Sequence, residues 1–477
     1  MKQLADYINV QSPNLEKIKE RNFLKSTTSL RLLLLSFPLL IGCAGAPVVV
    51  GDGKIEKPLE QVTGLATSDV EKASQKTELN LWDVYAMAVE KTEDLATKAE
   101  DIEQASAQSQ QAIASILPQI AINDRKNWQS NSYIFGTTNS IITPLGNTVY
   151  LSGTENLLTG LNQVAAIQGA QALTDENHHL FKQEARNLLL NVARAYYTVL
   201  QNLDAQQSKQ EILNLTEQIL AQEQQWKAIG RSRESDVLTT EAQLAQLKGD
   251  LESIHGQLSR AQDSLSILSG LNSGQALKSE EQAVAPAYTM EEAKAKVDSR
   301  SDVIAAKSAV AVADAELLQA HGEHLPSLSF EGQYFLQQDG GSPTPDWNVQ
   351  LVASLPLFEG GAILAQERAA ASRKRQAELQ YSLIRRQALI DIQGSYSALA
   401  TALRELDAYG KALDAAQRDY KAVERDRRLA LNTNLDVLQA LTQLQNAETN
   451  YNQAHYQVLI DWVWLGTATG ELPRTTK

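Results

Sequence analysis

The second half of this chain repeats the first, and that constrains the fold more than any other feature. Ile116-Leu117-Pro118-Gln119-Ile120 returns as His324-Leu325-Pro326-Ser327-Leu328, an offset of 208. Farther along, Asp236-Val237-Leu238 returns as Asp436-Val437-Leu438 and Tyr196 as Tyr396, an offset of 200. The halves therefore match on both sides of a loop that is eight residues longer in the first. A period near 200 is too long for a solenoid. It reads as an internal duplication joined through the Gly-, Ser- and Pro-bearing stretch 269–286.

Each half has the same order of elements. A helical stretch runs to a proline (81–116, then 290–324), and two short alternating segments follow (about 118–134 with 147–157, then 326–337 with 346–357). Phe330, Gly332, Tyr334 and Leu336 alternate with Ser329, Glu331, Gln333 and Gln337, a period near two that suits a strand. Asp339-Gly340-Gly341-Ser342-Pro343 supplies a turn between the strands of the second half. Next comes a run without proline, 160–229 and again 361–430, and each half closes with a helical stretch, 235–268 and 434–467.

The helices are patterned to pack side by side, as in a coiled coil. Leu389, Ile392, Tyr396, Leu399, Leu403 and Leu406 step by three and four, a heptad seam. Val437, Leu441, Leu444, Tyr451, Val458, Trp462 and Leu465 keep the same register, with Glu448 and His455 as polar members. A 70-residue run is roughly 105 Å long as a helix. Two shorter helices stacked end to end match it in height. Strands of about 11 residues suit tilted barrel strands crossing a bilayer. Four such strands cannot close a barrel, because edges exposed to lipid are not tolerated, so several copies must combine. The fold class is mainly α with a small β part.

Composition narrows the function. With 57 acidic and 43 basic residues the net charge is -14, which argues against nucleic acid as a partner. One cysteine excludes a disulfide framework. That cysteine ends the only strongly apolar stretch, Leu32 to Ile41, which follows Lys25 and Arg31. Ten residues are too few to span a bilayer as a helix but fit a secretory signal. Leu40-Ile41-Gly42-Cys43-Ala44 resembles the bacterial lipobox, which implies lipidation of Cys43 and, with Ala44 following, sorting to the outer membrane. The segment before the apolar run is long for a signal, as an upstream start would make it. The expected division is a signal peptide 1–42, a lipid-anchored linker 43–79, repeats 80–275 and 286–470, and a tail 471–477.

Two further patterns carry a family resemblance. Leu355-Pro356-Leu357-Phe358-Glu359-Gly360-Gly361, where the last strand enters the long helix, resembles the signature of TolC-like outer-membrane efflux proteins. So does Gly230 followed at the sixth position by Asp236-Val237-Leu238, at the turn after the first long helix. The resemblance covers about 80–470 and, with the lipobox, points to the lipoprotein branch. It implies a homotrimer whose twelve strands form one barrel, continued by a long helical periplasmic tunnel. A periplasmic adaptor would dock at the tip and connect to a proton- or ATP-driven inner-membrane pump. The protein would be the passive exit duct for small molecules. A duct for type I protein secretion, or a lipid-anchored coiled-coil adaptor, are the alternatives.

The site residues follow from the same resemblance. Gly230, Arg231, Ser232, Arg233 and Asp236 in the first half, with Ala430, Asn432, Asp436 and Gln439 in the second, are expected at the tip, meeting the adaptor and gating. Pro356, Phe358, Gly360 and Gly361 are the strand-to-helix signature. Two departures stand out: Ala430 replaces the tip glycine, and Gln439 replaces a frequent aspartate. Glu155-Asn156-Leu157-Leu158-Thr159-Gly160 is a poor copy of the signature in the first half. Asp236 and Asp436 equally suit helix caps, and three copies at a narrow tip would form a cation-attracting ring. Near Glu234, Arg231 and Arg233 have a bland reading as exposed salt-bridge partners worth little; the preferred reading is that this loop gates the tip and meets the adaptor. His321-Gly322-Glu323-His324 evokes a metal pair without a third ligand nearby. Trp462 and Trp464 are expected where helices meet. No nucleophile, acid–base pair or cofactor loop stands out, so neither an enzyme nor a cofactor is expected.

Overall fold

The computed structural model describes residues 76–126, 147–272, 274–278, 288–338, 345–429 and 431–470. All belong to one compact unit, residues 56–477. The signal, Cys43, the linker up to residue 75, the turn at Asp339–Pro343, Ala430 and the tail lie outside the described residues.

In chain order the elements are β1 (Glu78–Leu79), α1 (Leu81–Lys91), α2 (Glu93–Ala114), β2 (Gln119–Lys126), β3 (Asn147–Thr159), α3 (Asn162–Ala228) and α4 (Glu234–Ser269). The second half gives β4 (Ala276–Leu277), α5 (Met290–Ala295), a 3₁₀ turn Val297–Ser299, α6 (Ser301–Gly322), β5 (Ser327–Gln338), β6 (Trp347–Ser354), α7 (Ala362–Arg428) and α8 (Asn434–Thr469). Both ends of α3 and α7 differ by 200, as do both ends of α4 and α8, and both ends of α2 and α6 differ by 208.

The long helices run without proline for 67 residues each, about 100 Å at 1.5 Å per residue. They form a wall of four columns. α3 packs against α2 and α4 on one side and against α6 and α8 on the other, and α7 packs against α6 and α8. Thus α2 over α4, α3, α6 over α8, and α7 stand in that order. The two seams lie inside this wall: Ile392, Leu399, Val437, Leu441, Val458 and Leu465 are buried, and the other seam members are at most partly exposed.

One expectation is corrected. The stretch 81–116 is not a single helix, because Thr92 takes an extended conformation and its hydroxyl donates to the carbonyls of Ala88 and Leu268. The detached piece α1 instead packs on α3 and α4. Its Leu81, Val84 and Tyr85 enter the main core with Phe181, Leu189, Val192, Tyr196 and Tyr197. Burial pushes the Tyr85 phenol well above its ordinary range, and its hydroxyl donates to the carbonyl of Ala185. The second half breaks similarly at 296–300. There Arg300, almost fully buried, binds Asp302 with two nitrogens and also reaches Asp391 and the carbonyl of Ala468.

The repeated tyrosines have a repeated task. The Tyr196 hydroxyl donates to the carbonyls of Leu79 and Lys278, tying the short parallel pair β1–β4 to α3. Tyr396 donates to the carbonyl of Tyr288, fastening the segment before α5 to α7. Trp462 packs against two core clusters, and the Trp464 indole donates to Asp391, so both tryptophans sit where helices meet.

At the far end of the wall is an antiparallel sheet in the order β2-β3-β5-β6. The register places Ile120, Ile122, Leu151, Phe330, Tyr334, Trp347, Val349 and Leu351 on one face, all exposed. Asp124 and Lys126 at the outer end, and Glu155 toward the inner end, are the charged residues on that face among the described residues. The opposite face carries Gln119, Asn123, Ser152, Thr154, Glu331, Gln333, Asn348 and Gln350. No described helix is long and apolar enough to cross a membrane. The edges of β2 and β6 have no partner strand within the described residues.

Candidate functional site

The end of the wall opposite the sheet gathers both helix-to-helix turns. After α3, Gly230 adopts φ +75°, and its amide donates to the carbonyl of Lys227. A side chain there would meet nothing, so the glycine is needed for backbone conformation rather than space. The Arg231 amide then donates to the carbonyl of Trp226, and the chain re-enters a helix at Glu234.

Both aspartates of the repeated motif are helix caps. Asp236 accepts from the Arg233 amide at 3.2 Å. Asp436 accepts from the Thr433 amide at 2.7 Å and the Thr433 hydroxyl at 2.6 Å, while the Asp436 amide donates back to that hydroxyl. This is a reciprocal capping box. The Thr433 side chain and amide, with a weaker contribution from Arg427, hold the Asp436 carboxyl below the usual carboxylate range. A depressed pKa means that the cap is in place above the ordinary carboxylate range and is lost as pH falls through the lowered value. We expect Thr433→Ala to speed amide exchange in the first turn of α8 at neutral pH, and the wild type to approach the variant as the medium becomes strongly acidic. Hydrogen exchange of the Leu435–Leu438 segment checks this, and equal protection in both proteins at neutral pH would refute it.

Between the two turns lies an ion pair that the sequence did not announce. Glu223, on the last turns of α3, is 2% exposed, and its Oε1 accepts from Arg427 Nη2 of α7 at 2.7 Å. Its other oxygen accepts from the Ser232 hydroxyl. Arg427 also donates to the carbonyl of Asn432 at 3.1 Å, and its guanidinium lies 4.8 Å from the Trp226 ring centre. Arg231 approaches the same ring at 5.8 Å. Asn434, buried at the start of α8, donates to the Asp236 carbonyl and the Thr240 hydroxyl. One network thus joins the ends of α3 and α7 to both turns.

Of the expected tip residues, Gly230, Arg231, Ser232, Arg233, Asp236, Asn432 and Asp436 fall in or beside this network. Gln439 is exposed and takes no part in it. Glu234 pairs with Lys227 at 3.1 Å, not with Arg231 or Arg233, because Arg231 is drawn over Trp226. Glu223, Arg427, Trp226 and Asn434 were not foreseen. Their one signal was nearness to the turns.

At the opposite end Gly360 and Gly361 both have positive φ, 65° and 89°, so the signature turns the chain from β6 into α7. Pro356 and Phe358 precede them, and Phe358 is 88% exposed. In the first half β3 runs to Thr159, and Gly160 (φ +61°) makes the turn alone. A Cβ there would fall 2.2 Å from the carbonyl oxygen of Gly322. His321 and His324 each lie 3.3 Å from a different oxygen of Glu367, linking α6 to α7 beneath the sheet.

The comparisons with known proteins agree with this architecture. Residues 294–471 match the family model of the outer membrane efflux protein. The chain is 24% identical over 446 residues to the outer membrane protein TolC of Escherichia coli strain K12, covering 88% of this chain and 87% of that one. A stretch of 171 residues is 26% identical to the alkaline protease secretion protein AprF of Pseudomonas aeruginosa, covering 35% of this chain and 36% of that one. The crystal structure of the outer membrane protein VceC from Vibrio cholerae matches with a TM-score of 0.73 at 17% identity, over 82% of this chain and 96% of that one. Over most of its length the chain is thus similar in sequence to an outer-membrane channel protein, and it has the fold of a solved outer-membrane protein of the same architecture. The likeness is to the TolC-like outer-membrane factors.

Proposed function

We propose that this protein is the outer-membrane exit duct of a tripartite efflux system for small toxic molecules. Three copies pair β6 of one with β2 of the next, giving a twelve-stranded barrel and a tunnel of twelve helical columns. The observation that carries this reading is the sheet. It has one exposed, mainly apolar face, an opposite face that mixes polar residues with Ala121, Tyr150, Phe335 and Val352, and, among the described residues, two open edges, which closure with other copies in lipid would satisfy. An inner-membrane pump supplies the energy, and a periplasmic adaptor meets the tip turns around Gly230–Asp236 and Ala430–Gln439. The capped aspartates ring the tip, and the Glu223–Arg427 pair holds it closed.

Small-molecule efflux is preferred to protein secretion because the sequence around Cys43 resembles a lipobox, although AprF is named for protease secretion. The division into signal 1–42, linker 43–79, repeats 80–275 and 286–470 and tail 471–477 belongs to the same reading. Photo-crosslinking from Ser232 in cells tests it. Capture of an adaptor paired with a small-molecule pump supports efflux, and capture of one paired with a secretion exporter favours the secretion reading. Capture of nothing removes the docking role of this turn. Separately, Cys43→Ser is expected to abolish metabolic palmitate labelling and processing. Unchanged labelling would remove the lipid anchor.

A further inference from the structure

The repetition of the α2/α6, α3/α7 and α4/α8 helix lengths makes a contact inside one copy a template for a contact between two. Arg186, in the middle of α3, donates from Nη1 to the Ser301 hydroxyl at 3.1 Å and from Nη2 to the carbonyl of Gly470 at 3.2 Å. Ser301 is the first residue of α6, and Gly470 is the left-handed cap (φ +79°) that ends α8. Arg186 therefore ties the first long helix to the junction where the second half's upper and lower helices meet.

Shifting each partner by its own offset gives a second triad. Arg186 becomes Arg386 on α7, Ser301 becomes Glu93, the first residue of α2, and Gly470 becomes Gly270, the left-handed cap of α4 (φ +69°). The surroundings shift with them: Leu188 and Ala388, Val192 and Ile392, and Val199 and Leu399 are buried at equivalent places. Inside one copy this second triad cannot form. Arg386 lies on the outermost column, whereas α2 and α4 lie beyond α3 at the other edge. Arg386 and Glu93 are exposed, and neither side chain has a hydrogen bond or ion pair among the described residues. The neighbouring Arg385, by contrast, is held by Asp298 at 2.7 and 3.1 Å.

We propose that Arg386 binds Glu93 and the carbonyl of Gly270 on the next copy, closing the ring of columns at mid-height. The inference rests on the oligomer proposed above and adds its contact. Replacement of Ser301 by Glu93 turns the hydroxyl partner of the internal triad into a carboxylate, so the contact between copies is a charge-assisted one. The stem of Lys91 lies beside Gly270.

The test uses the full-length protein in detergent. Arg386→Glu and Glu93→Lys should each shorten the lifetime of the trimer about tenfold at low salt, three modest pairs acting together. The double exchange should restore it to within about twofold. Arg385→Glu should not be rescued by Glu93→Lys. Arg386→Cys combined with Glu93→Cys should give covalent dimers and trimers with a short thiol cross-linker, against a control carrying only Cys43. A double exchange no better than the single changes, or no cross-linked product from a protein that sizes as a trimer, overturns the contact. A protein that sizes only as a monomer overturns both the contact and the oligomer on which it rests.

Discussion

Arg427→Ala should open the tip. In single-channel recordings from planar bilayers the variant should spend most of its time in a high-conductance state that the wild type rarely visits. The expected size follows from what the substitution leaves behind. Glu223 is 2% exposed and would retain only the Ser232 hydroxyl for a charge now matched by Arg427 at 2.7 Å. Removing one partner of a buried pair typically costs about 3–5 kcal/mol, mostly the penalty of the stranded charge. A cavity of about 260 Å³ lined by Glu223, Tyr420, Glu424 and Arg428 lies alongside and admits water, which lowers the expectation to about 2–3 kcal/mol. That is a shift of about 30- to 150-fold in the closed-to-open ratio.

The complementary change should be milder, and the asymmetry is the sharper test. Glu223→Gln keeps an acceptor for Arg427 and removes the buried charge. Arg427 is 18% exposed and keeps the Asn432 carbonyl and the face of Trp226. A net loss of about 1 kcal/mol is expected, about fivefold in the same ratio. Thermal unfolding should move little in either variant, because the main core around Tyr85, Phe181, Tyr196 and Tyr197 does not include the tip. Wild-type conductance in both variants, or a larger effect from Glu223→Gln, would remove the pair from the gate.

The long-range architecture was legible because it is written in repetition. The offsets of 200 and 208 in short motifs became the offsets of whole helices, and proline-free runs became α3 and α7 to within two residues at each end. Heptad seams told which residues face a neighbour, since steps of three and four leave few other arrangements. The break at Thr92 was not legible. No proline or glycine marks it, and the bond from its hydroxyl to Leu268 is a tertiary contact 176 residues away.

The tip shows the same division. Gly230 and the aspartates were visible because caps and positive-φ turns are local chemistry. Glu223 and Arg427 are 204 residues apart in helices rich in charge, and nothing local distinguishes them from exposed neighbours such as Glu424 and Arg428. Their role arises only because the wall brings the ends of α3 and α7 together. Trp226 was equally silent, although Arg231 lies over its ring while Glu234 pairs with Lys227.

Leu351→Arg should prevent assembly in the outer membrane, whereas Gln350→Arg, one residue earlier, should not. Strand side chains alternate, so the two residues point to opposite faces of β6. Leu351 is 64% exposed and pairs across the sheet with Phe330, in the band with Ile122, Val349 and Trp347. In the proposed barrel this band meets lipid, and arginine at the middle of a barrel's lipid face costs about 2–4 kcal/mol per copy. Three copies would bear that cost together. Gln350 pairs with Glu331 on the polar face, so an arginine there gains an opposite charge across the strand. Density fractionation of membranes and heat-resistant oligomer on gels give the readout. The Gln350 variant should match the wild type, and the Leu351 variant should lose most of its outer-membrane pool. Equal behaviour of the two would mean that the apolar face does not meet lipid, and with it the barrel would fall.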